Sequence, residues 1–332
     1  MNRSLQRGRI NHPVLWTLGV GVAVGLIVGG YVVFGPGPTS FAGGRSVALQ
    51  DYHEQDPSGV PVALKSADIV ARGEYLTRAA DCLVCHTAKD GAPFAGGRAF
   101  VLPFGTLYST NITPDVETGI GSYTDANFLN AIHKGIGRND TKLYPAMPYA
   151  SYTYMTDADA LAIKAYLFTL KPLHAPAPRN MLIFPFNQRA LMGVWAALFN
   201  PDKRFEPHAD RSAQWNRGAY LVEAMEHCGE CHTPRNALGG LDNSRAYAGD
   251  PHGPGGKTPN ITPGGKLGQW SVDDIAELLD SGMTPDGDYT GGEMATVVNG
   301  TGKLNMADKH AIAVYVKSLA PHPSAPAPVK PS

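Results

Sequence analysis

The first feature of the hydrophobic pattern is an uncharged, largely apolar run at residues 14–34, preceded by Arg3, Arg7 and Arg9. As a helix its twenty-one residues would span about 31 Å, the thickness of a bilayer core. We expect an uncleaved transmembrane helix, because the apolar part of a cleaved signal peptide, the alternative, is shorter. The arginines predict that residues 1–13 are cytoplasmic and that the later residues lie outside the membrane.

Beyond this run, apolar positions recur with helical period in two sets that follow the same order. This internal repeat predicts two mostly helical domains, at 67–172 and 210–319. Four blocks align: Arg-Gly-x-Tyr-Leu segments at 72–76 and 217–221, Asn-Ile-Thr-Pro turns at 111–114 and 260–263, helices capped by Thr124 and Ser271, and final helices containing Asp159 and Asp308. In the first block we expect the glycine to let another helix approach and the Tyr-Leu pair to make apolar contacts.

The segments outside the repeats differ from them in pattern. Residues 35–66 are predicted to be a tether, and residues 320–332, with five prolines, a disordered tail. Residues 173–209 form a linker with an amphipathic helix, whose apolar stripe is Leu191, Val194, Trp195 and Leu198. We expect this helix to lie against one of the domains, and contact with membrane or quinone is the alternative.

Composition narrows the possible partners. The 28 basic and 29 acidic residues give a net charge of −1, which argues against a nucleic-acid partner. The 38 glycines and 27 prolines fit loop-rich domains that are filled partly by a cofactor.

The four cysteines of the chain all lie in two C-x-x-C-H signatures, at 82–86 and 228–232. This signature attaches c-type haem: each thiol adds to a haem vinyl group and the histidine becomes an axial iron ligand. A zinc site or a redox C-x-x-C pair could use the same thiols. However, zinc would need further nearby ligands, and a redox pair would not need the histidine. Two covalently bound haem c groups are therefore expected, at Cys82, Cys85, Cys228 and Cys231, with His86 and His232 as ligands.

Spacing indicates the sixth ligand of each iron. Met147 follows His86 by 61 residues and Met294 follows His232 by 62, whereas Met283 follows it by only 51. Met147 and Met294 are thus the predicted axial ligands. A thioether favours ferrous iron and raises the potential, which suits electron transfer rather than chemistry at an open site.

Four other polar residues are weaker candidates. His133 and His227 could be alternative ligands, but we expect solvated side chains. Arg98 and Asn111 could hydrogen-bond haem propionates or lie on the surface, with equal support from the sequence.

A family resemblance is carried by residues 94–98, 104–106, 109–115, 119–121, 144–149 and 184–187. From about Ala67 to Leu319 the chain resembles the cytochrome c subunits of bacterial membrane-bound alcohol, gluconate, sorbitol and aldehyde dehydrogenases. Many such subunits carry three haem motifs, whereas this sequence contains two. The resemblance implies the same haem cysteines and axial ligands as above.

Together these observations predict a mostly α chain, with two tandem class I cytochrome c domains after one N-terminal transmembrane helix. Because haem c is attached outside the bacterial cytoplasmic membrane, the domains should be periplasmic and the anchor in the inner membrane. The expected function is non-enzymatic: a relay from a periplasmic or membrane-bound dehydrogenase to quinone, a terminal oxidase or another cytochrome. The alternatives are a dihaem peroxidase or thiosulfate-oxidising enzyme, and a free-standing respiratory carrier.

Overall fold

The computed structural model describes residues 17, 19–27, 30, 68–253 and 256–323. Within these ranges, no helix combines the length and the apolarity that crossing a membrane would require. The predicted cytoplasmic N-terminus (1–13) and tether (35–66) fall wholly outside the described residues, as do much of the predicted anchor (14–34) and most of the predicted tail (320–332). These assignments therefore stay predictions.

The first repeat begins with helix α1, whose N-cap Asp68 accepts a hydrogen bond from the backbone of Ala71 at 2.9 Å. Thr124 forms a capping box with Asn127 at the start of α3, and Gly135 ends that helix in the left-handed conformation. The elements in chain order are α1 (Ile69–Ala79), α2 (Cys82–Cys85), β1 (Ala99–Leu102), β2 (Gly105–Tyr108), α3 (Asp125–Lys134), α4 (Tyr149–Tyr152) and α5 (Asp157–Leu167).

The linker contributes β3 (Met181–Leu182) and α6 (Leu191–Phe199), and the second repeat follows. Ser271 caps its central helix through the same kind of capping box, here with Asp274. Its helices are α7 (Ala213–Tyr220), α8 (Gly229–His232), α9 (Val272–Ser281), α10 (Gly292–Thr301) and α11 (Met306–Ser318).

In each repeat the first helix crosses the last helix at a glycine. A Cβ atom on Gly73 would lie 1.9 Å from the carbonyl oxygen of Ala162 in α5, and one on Gly218 would lie 2.0 Å from that of Ala311 in α11. Any larger residue would push the two backbones apart. The prediction that these glycines allow close helix contact is confirmed.

An arginine beside each glycine pairs with an aspartate of the same final helix. Arg72 donates to Asp159 at 2.6 and 2.8 Å, and Arg217 donates to Asp308 at 2.8 Å through two nitrogens. These charge-assisted contacts fix the first helix against the last in both repeats.

The tyrosines of the same segments reach across to the opposite repeat. Tyr75 donates to Asp308 at 2.7 Å, and Tyr220 donates to Asp159 at 2.6 Å. Each tyrosine oxygen also accepts from the N-cap backbone of the other repeat's final helix, at Asn305 and Thr156. The expected apolar role of the Tyr-Leu pair is therefore incomplete, because the hydroxyl groups join the repeats reciprocally.

The second repeat accommodates one extra residue between its arginine and its first cysteine. Residues Leu221–Met225 form a π-helical turn directly after α7, whereas α1 continues as regular α-helix. A π turn places one more residue in a helix without breaking it. The two haem motifs consequently meet the helices in the same way despite the unequal spacing.

A small antiparallel sheet in the order β1-β2-β3 joins the linker to the first repeat. Gly105 has φ 129°, and a Cβ there would lie 2.0 Å from the carbonyl oxygen of Met181. Only glycine therefore allows β3 to approach the hairpin this closely.

Helix α6 lies against the repeats through Trp195 and Phe199, as expected for a linker helix, but not through its whole apolar stripe. Trp195 contacts the ring of Tyr149 edge-on at 5.7 Å. The stripe residues Leu191, Val194 and Leu198 remain 43%, 37% and 61% exposed. Helical periodicity located the apolar face correctly, but most of that face is directed outward.

Candidate haem-binding sites

The first C-x-x-C-H motif forms a single helical turn immediately after α1. Asp81, which precedes Cys82, has φ 49°, and this left-handed residue turns the chain from α1 into α2. The second motif is entered in the same way, because His227 has φ 40°. A non-glycine residue in this conformation is uncommon, and its recurrence at matching positions indicates a required turn.

Each motif histidine is held by a backbone carbonyl. Nδ1 of His86 lies 2.7 Å from the carbonyl oxygen of Thr110, and Nδ1 of His232 lies 2.8 Å from that of Pro259. A carbonyl only accepts, so Nδ1 carries the proton and Nε2 keeps its lone pair. Burial lowers the pKa of both imidazoles, which favours this neutral form.

The Asn-Ile-Thr-Pro turns supply those carbonyls. Thr110 directly precedes Asn111, whose side chain donates to the carbonyl of Leu173 at 2.7 Å. Pro259 precedes Asn260, which donates in the same way to His322 at 2.7 Å. The sequence revealed the repeated turn but not that it orients the histidine, and the recurrence of the turn after each haem motif was the available signal.

Asn111 and Arg98, the two candidates for bonding haem propionates, both make hydrogen bonds within the protein. Asn111 is 2% exposed. Besides its bond to Leu173, its side-chain NH2 group donates to the hydroxyl of Thr118, and its side-chain oxygen accepts from the backbone N–H of Thr113. Its side chain is therefore committed to the protein. Arg98 donates to the carbonyl of Val84 at 2.9 Å, inside the first motif, and to Glu293 at 2.7 Å. It connects the first motif to α10 of the second repeat.

The four cysteine thiols are free and partly buried. Burial raises the pKa of Cys82 to about 12 and the pKa values of Cys85 and Cys231 to about 11, and it raises the pKa of Cys228 well above its usual value. Reactive C-x-x-C pairs have lowered thiol pKa values, so this environment does not favour the redox alternative. Across the described ranges, no group of three or more histidine, cysteine or acidic residues could hold a metal ion.

The structure also aligns the two methionine segments. Gly135 and Gly282 both end their helices in the left-handed conformation, and each is followed by a bridge, Ile136 to Lys142 and Met283 to Tyr289. Met283 therefore corresponds to Ile136, and Met294 is the counterpart of Met147. Both candidate ligands are half-buried against the core. Met147 precedes α4 and Met294 lies in α10, and their ligation stays a prediction.

His133 and His227, the two histidines considered as alternative ligands, are not solvated, contrary to expectation. His133 is 1% exposed and lies 3.4 Å from the carboxylate of Asp157. His227 is half-buried, and its ring meets that of Tyr152 at 5.4 Å. Burial lowers the pKa of both rings. Helix position and neighbouring residue types did not reveal this burial, because it depends on contacts between distant segments.

Comparison with known proteins agrees with this geometry. The profile of the family described as Cytochrome c matches residues 70–171. The chain is 44% identical to the protein named Diheme cytochrome c-type from Cereibacter sphaeroides over 255 residues, which is 75% of this chain and 85% of that protein. The chain belongs to the c-type cytochromes. Haem c is accordingly the cofactor that the two motifs fit: paired thiols and a neutral histidine lie on one turn.

This cytochrome is also similar to subunits of larger enzymes. It is 44% identical to a subunit of nicotinate dehydrogenase from Pseudomonas putida and 42% identical to the fructose dehydrogenase cytochrome subunit from Gluconobacter japonicus. These matches cover 78% and 75% of the chain, but only 22% and 52% of those relatives. The predicted resemblance to dehydrogenase cytochrome subunits is confirmed.

Each motif of the cytochrome is joined to a helix of the opposite repeat. Arg98, which donates to the carbonyl of Val84 in the first motif, also donates to Glu293 of α10 in the second repeat. Glu230, inside the second motif, accepts from Ser151 in α4 at 2.8 Å. With Arg98 and Glu293 on the other side, each motif contacts a helix of the opposite repeat.

A buried acidic pair lies at the same place. Asp81 and Glu226 are 4% exposed, and both oxygens of Glu226 and one of Asp81 have no hydrogen-bond partner within the described structure. Burial raises the pKa of Asp81 to about 7, partly offset by Arg98, and raises that of Glu226 well above its usual value. The sequence analysis did not single out this pair, because each carboxylate is ordinary in its own repeat.

Proposed function

We propose that this cytochrome binds two covalent haem c groups, one on each of two tandem class I cytochrome c domains at 67–172 and 210–319. Cys82 and Cys85 hold the first group and Cys228 and Cys231 the second. The axial ligands are His86 with Met147, and His232 with Met294. The repeated histidine geometry supports this assignment. In both motifs Nδ1 donates to a backbone carbonyl, which leaves the lone pair of Nε2 available to iron.

The function that the geometry favours is electron relay. The observation that carries it is that each motif is joined by hydrogen bonds to a helix of the opposite repeat, across a reciprocal interface of the repeats. Bound haem supplies one-electron chemistry at its iron. The protein's part is positional: the carbonyls of Thr110 and Pro259 orient the histidines, and Tyr75 and Tyr220 hold the repeats in register.

We further propose that residues 14–34 anchor the cytochrome in the bacterial inner membrane, with both repeats in the periplasm. The donor is a periplasmic or membrane-bound dehydrogenase, and the acceptor is quinone, a terminal oxidase or another cytochrome. Support comes from the relatives named as dehydrogenase cytochrome subunits, and the chain spans about half the length of most of them. The cytochrome itself carries electrons and leaves substrate chemistry to the dehydrogenase.

Haem stoichiometry tests the assignment of the sites. The purified protein should retain two haems after acid-acetone extraction. Cys82→Ala with Cys85→Ala should leave one, and Cys228→Ala with Cys231→Ala should leave the other. Two covalent haems remaining in either double variant would disprove the assignment.

Spectroscopy separates a relay from an enzyme. Both ferric haems should be low-spin with the near-infrared methionine-to-iron band, and Met147→His or Met294→His should remove the band from one haem and lower its potential. A native high-spin haem, together with turnover of peroxide or thiosulfate at enzymatic rates, would instead support the enzyme alternative.

A further inference from the structure

The linker and the hairpin of the first repeat present large apolar side chains to solvent. Val101 pairs with Thr106 across β1 and β2, and Thr106 pairs with Met181 in β3, so these three side chains form one row on one face of the sheet. We define the linker surface as six exposed apolar residues: Val101, Met181, Ile183, Phe184, Leu191 and Leu198. The side chain of each is at least 43% exposed.

The scaffold beneath this surface holds it in place. The rings of Phe104 and Phe186 stack with centroids 4.2 Å apart, and Tyr144 donates to the carbonyl of Phe186 at 2.8 Å. Helix α6 is fixed through Trp195, which donates to the carbonyl of Leu238 at 3.2 Å. The apolar side chains are therefore displayed by ordered backbone, and an exposed apolar area of this kind usually marks an interaction site.

The two chain segments that supply the linker surface carry charges of one sign. No acidic residue occurs between Asp159 and Asp202, nor between Asp90 and Asp115, and these two stretches supply every residue of the surface. Basic residues do occur there. Lys171 and Arg179 are exposed, and Arg189 lies over the ring of Tyr144 at 4.7 Å.

We propose that the linker surface docks on a lipid bilayer containing anionic headgroups, with its apolar side chains entering the interfacial layer. Exposed apolar side chains on segments whose charged residues are all basic are the combination that binds such bilayers. The proposal rests on the proposed location beside the membrane. An anchor at residues 14–34 would keep the surface near the bilayer, so even weak contact would orient the haem sites.

A thiol-accessibility experiment on the full-length, haem-loaded protein tests this contact. Phe184→Cys and Leu198→Cys place single thiols on the linker surface, and Met306→Cys at the start of α11 is the control, since Met306 is 46% exposed outside the surface. The four motif cysteines are occupied by haem. Each variant is reconstituted into phosphatidylglycerol vesicles and into phosphatidylcholine vesicles, and its reaction with a charged, water-soluble maleimide is timed.

In phosphatidylglycerol vesicles the two surface thiols should react at least tenfold more slowly, relative to the control thiol, than in phosphatidylcholine vesicles. Lys171→Glu with Arg179→Glu should abolish that difference. Equal relative rates in both lipids would overturn the proposal. Protection seen only in native membranes that contain the dehydrogenase would also overturn it and assign the surface to a protein partner.

Vesicle flotation keeps this test separate from that of the anchor. If the protein floats with phosphatidylcholine vesicles, the anchor holds, and the thiol rates then report on the linker surface alone. If it floats only with phosphatidylglycerol vesicles at low salt, the anchor proposal fails while the linker surface is supported. If it floats with neither, both proposals fail.

Discussion

In both repeats an arginine and an aspartate join the first helix to the last, but the two pairs differ in burial. The side chains of Arg217 and Asp308 are 2% and 1% exposed, whereas Arg72 is 17% exposed and Asp159 is 1%. A buried charge is tolerated only when it is paired and hydrogen-bonded. Both repeats therefore need their ion pair, and the second repeat depends on it more completely.

Outside this shared framework the repeats diverge. Between its haem motif and its Asn-Ile-Thr-Pro turn, the first repeat has the hairpin β1-β2, which β3 of the linker extends, whereas the described residues of the second repeat there form an irregular loop with a short 3₁₀ turn at Asn243–Arg245. The contacts that orient the histidines recur, whereas the segments that face outward do not. The duplication thus preserves the two sites and gives each repeat a different exterior, and only the first joins the linker surface.

The largest expected effect is on stability, and it should differ between the two ion pairs. Arg217→Ala should lower the free energy of unfolding by about 3–5 kcal/mol, because it leaves Asp308 buried without its cation. Arg72→Ala should cost about 1 kcal/mol less, since water reaches that site more easily. Denaturant unfolding of the haem-loaded protein by circular dichroism measures both. Arg211→Ala is the control, because its side chain is 53% exposed in a weak 3.8 Å pair. Equal losses for Arg217 and Arg72 would contradict the role given to burial.

The exchanged tyrosines give the next effect. Tyr220→Phe and Tyr75→Phe each remove one hydrogen bond to a carboxylate, worth about 1.5–3 kcal/mol, and the fully buried Tyr220 should show the larger loss. Amide hydrogen exchange should locate each loss in the opposite repeat. Tyr75→Phe should speed exchange at the start of α11, and Tyr220→Phe at the start of α5. Faster exchange only within the mutated repeat would refute reciprocal capping.

The smallest expected effect is on the pH dependence of stability. It should differ between Asp81 and His227, which occupy matching positions in the two repeats. The pKa of Asp81 is raised from 3.8 to about 7, so the folded protein keeps a proton that the unfolded chain releases. Stability should fall as pH rises from about 4 to about 7 and then level off. Asp81→Asn should flatten this fall and stabilise the protein at pH 8, by about 1–3 kcal/mol.

Glu226→Gln should act in the same direction as Asp81→Asn, because Asp81 and Glu226 share one buried environment that also includes Arg98 and Asp308. His227→Gln should act at lower pH. Burial lowers its pKa, so the native histidine costs stability below about 6.5, where the unfolded chain gains the proton. Asp210→Asn is the control, with a side chain 80% exposed. A loss of stability at pH 8 in Asp81→Asn would show that the buried carboxylate is stabilising.

Much of this could be predicted from local pattern. The helix caps at Thr124 and Ser271 and the glycine contacts at Gly73 and Gly218 follow from residue type and period, because they involve neighbouring turns or backbone bulk. The haem motifs were equally visible, since their thiols and histidine are adjacent in sequence.

What the sequence could not predict depends on contacts between the repeats. Tyr75 and Asp308 are far apart along the chain, and nothing in either repeat alone indicates that its tyrosine bonds the other. The burial of Asp81 beside Glu226 has the same origin. The outward orientation of the α6 stripe also escaped prediction, because periodicity identifies an apolar face but not what covers it.

The reciprocal tyrosine contacts make the interface isologous, because the tyrosine of each repeat bonds the aspartate of the other repeat in the same way. Such interfaces are the usual basis of twofold symmetric dimers, and here both partners belong to one polypeptide. Two separate monohaem proteins would exchange electrons only on collision, at a rate that falls with dilution. Covalent joining through residues 173–209 replaces that encounter with a fixed effective concentration. Transfer between the two proposed haems is thereby first order and independent of how few copies a cell contains.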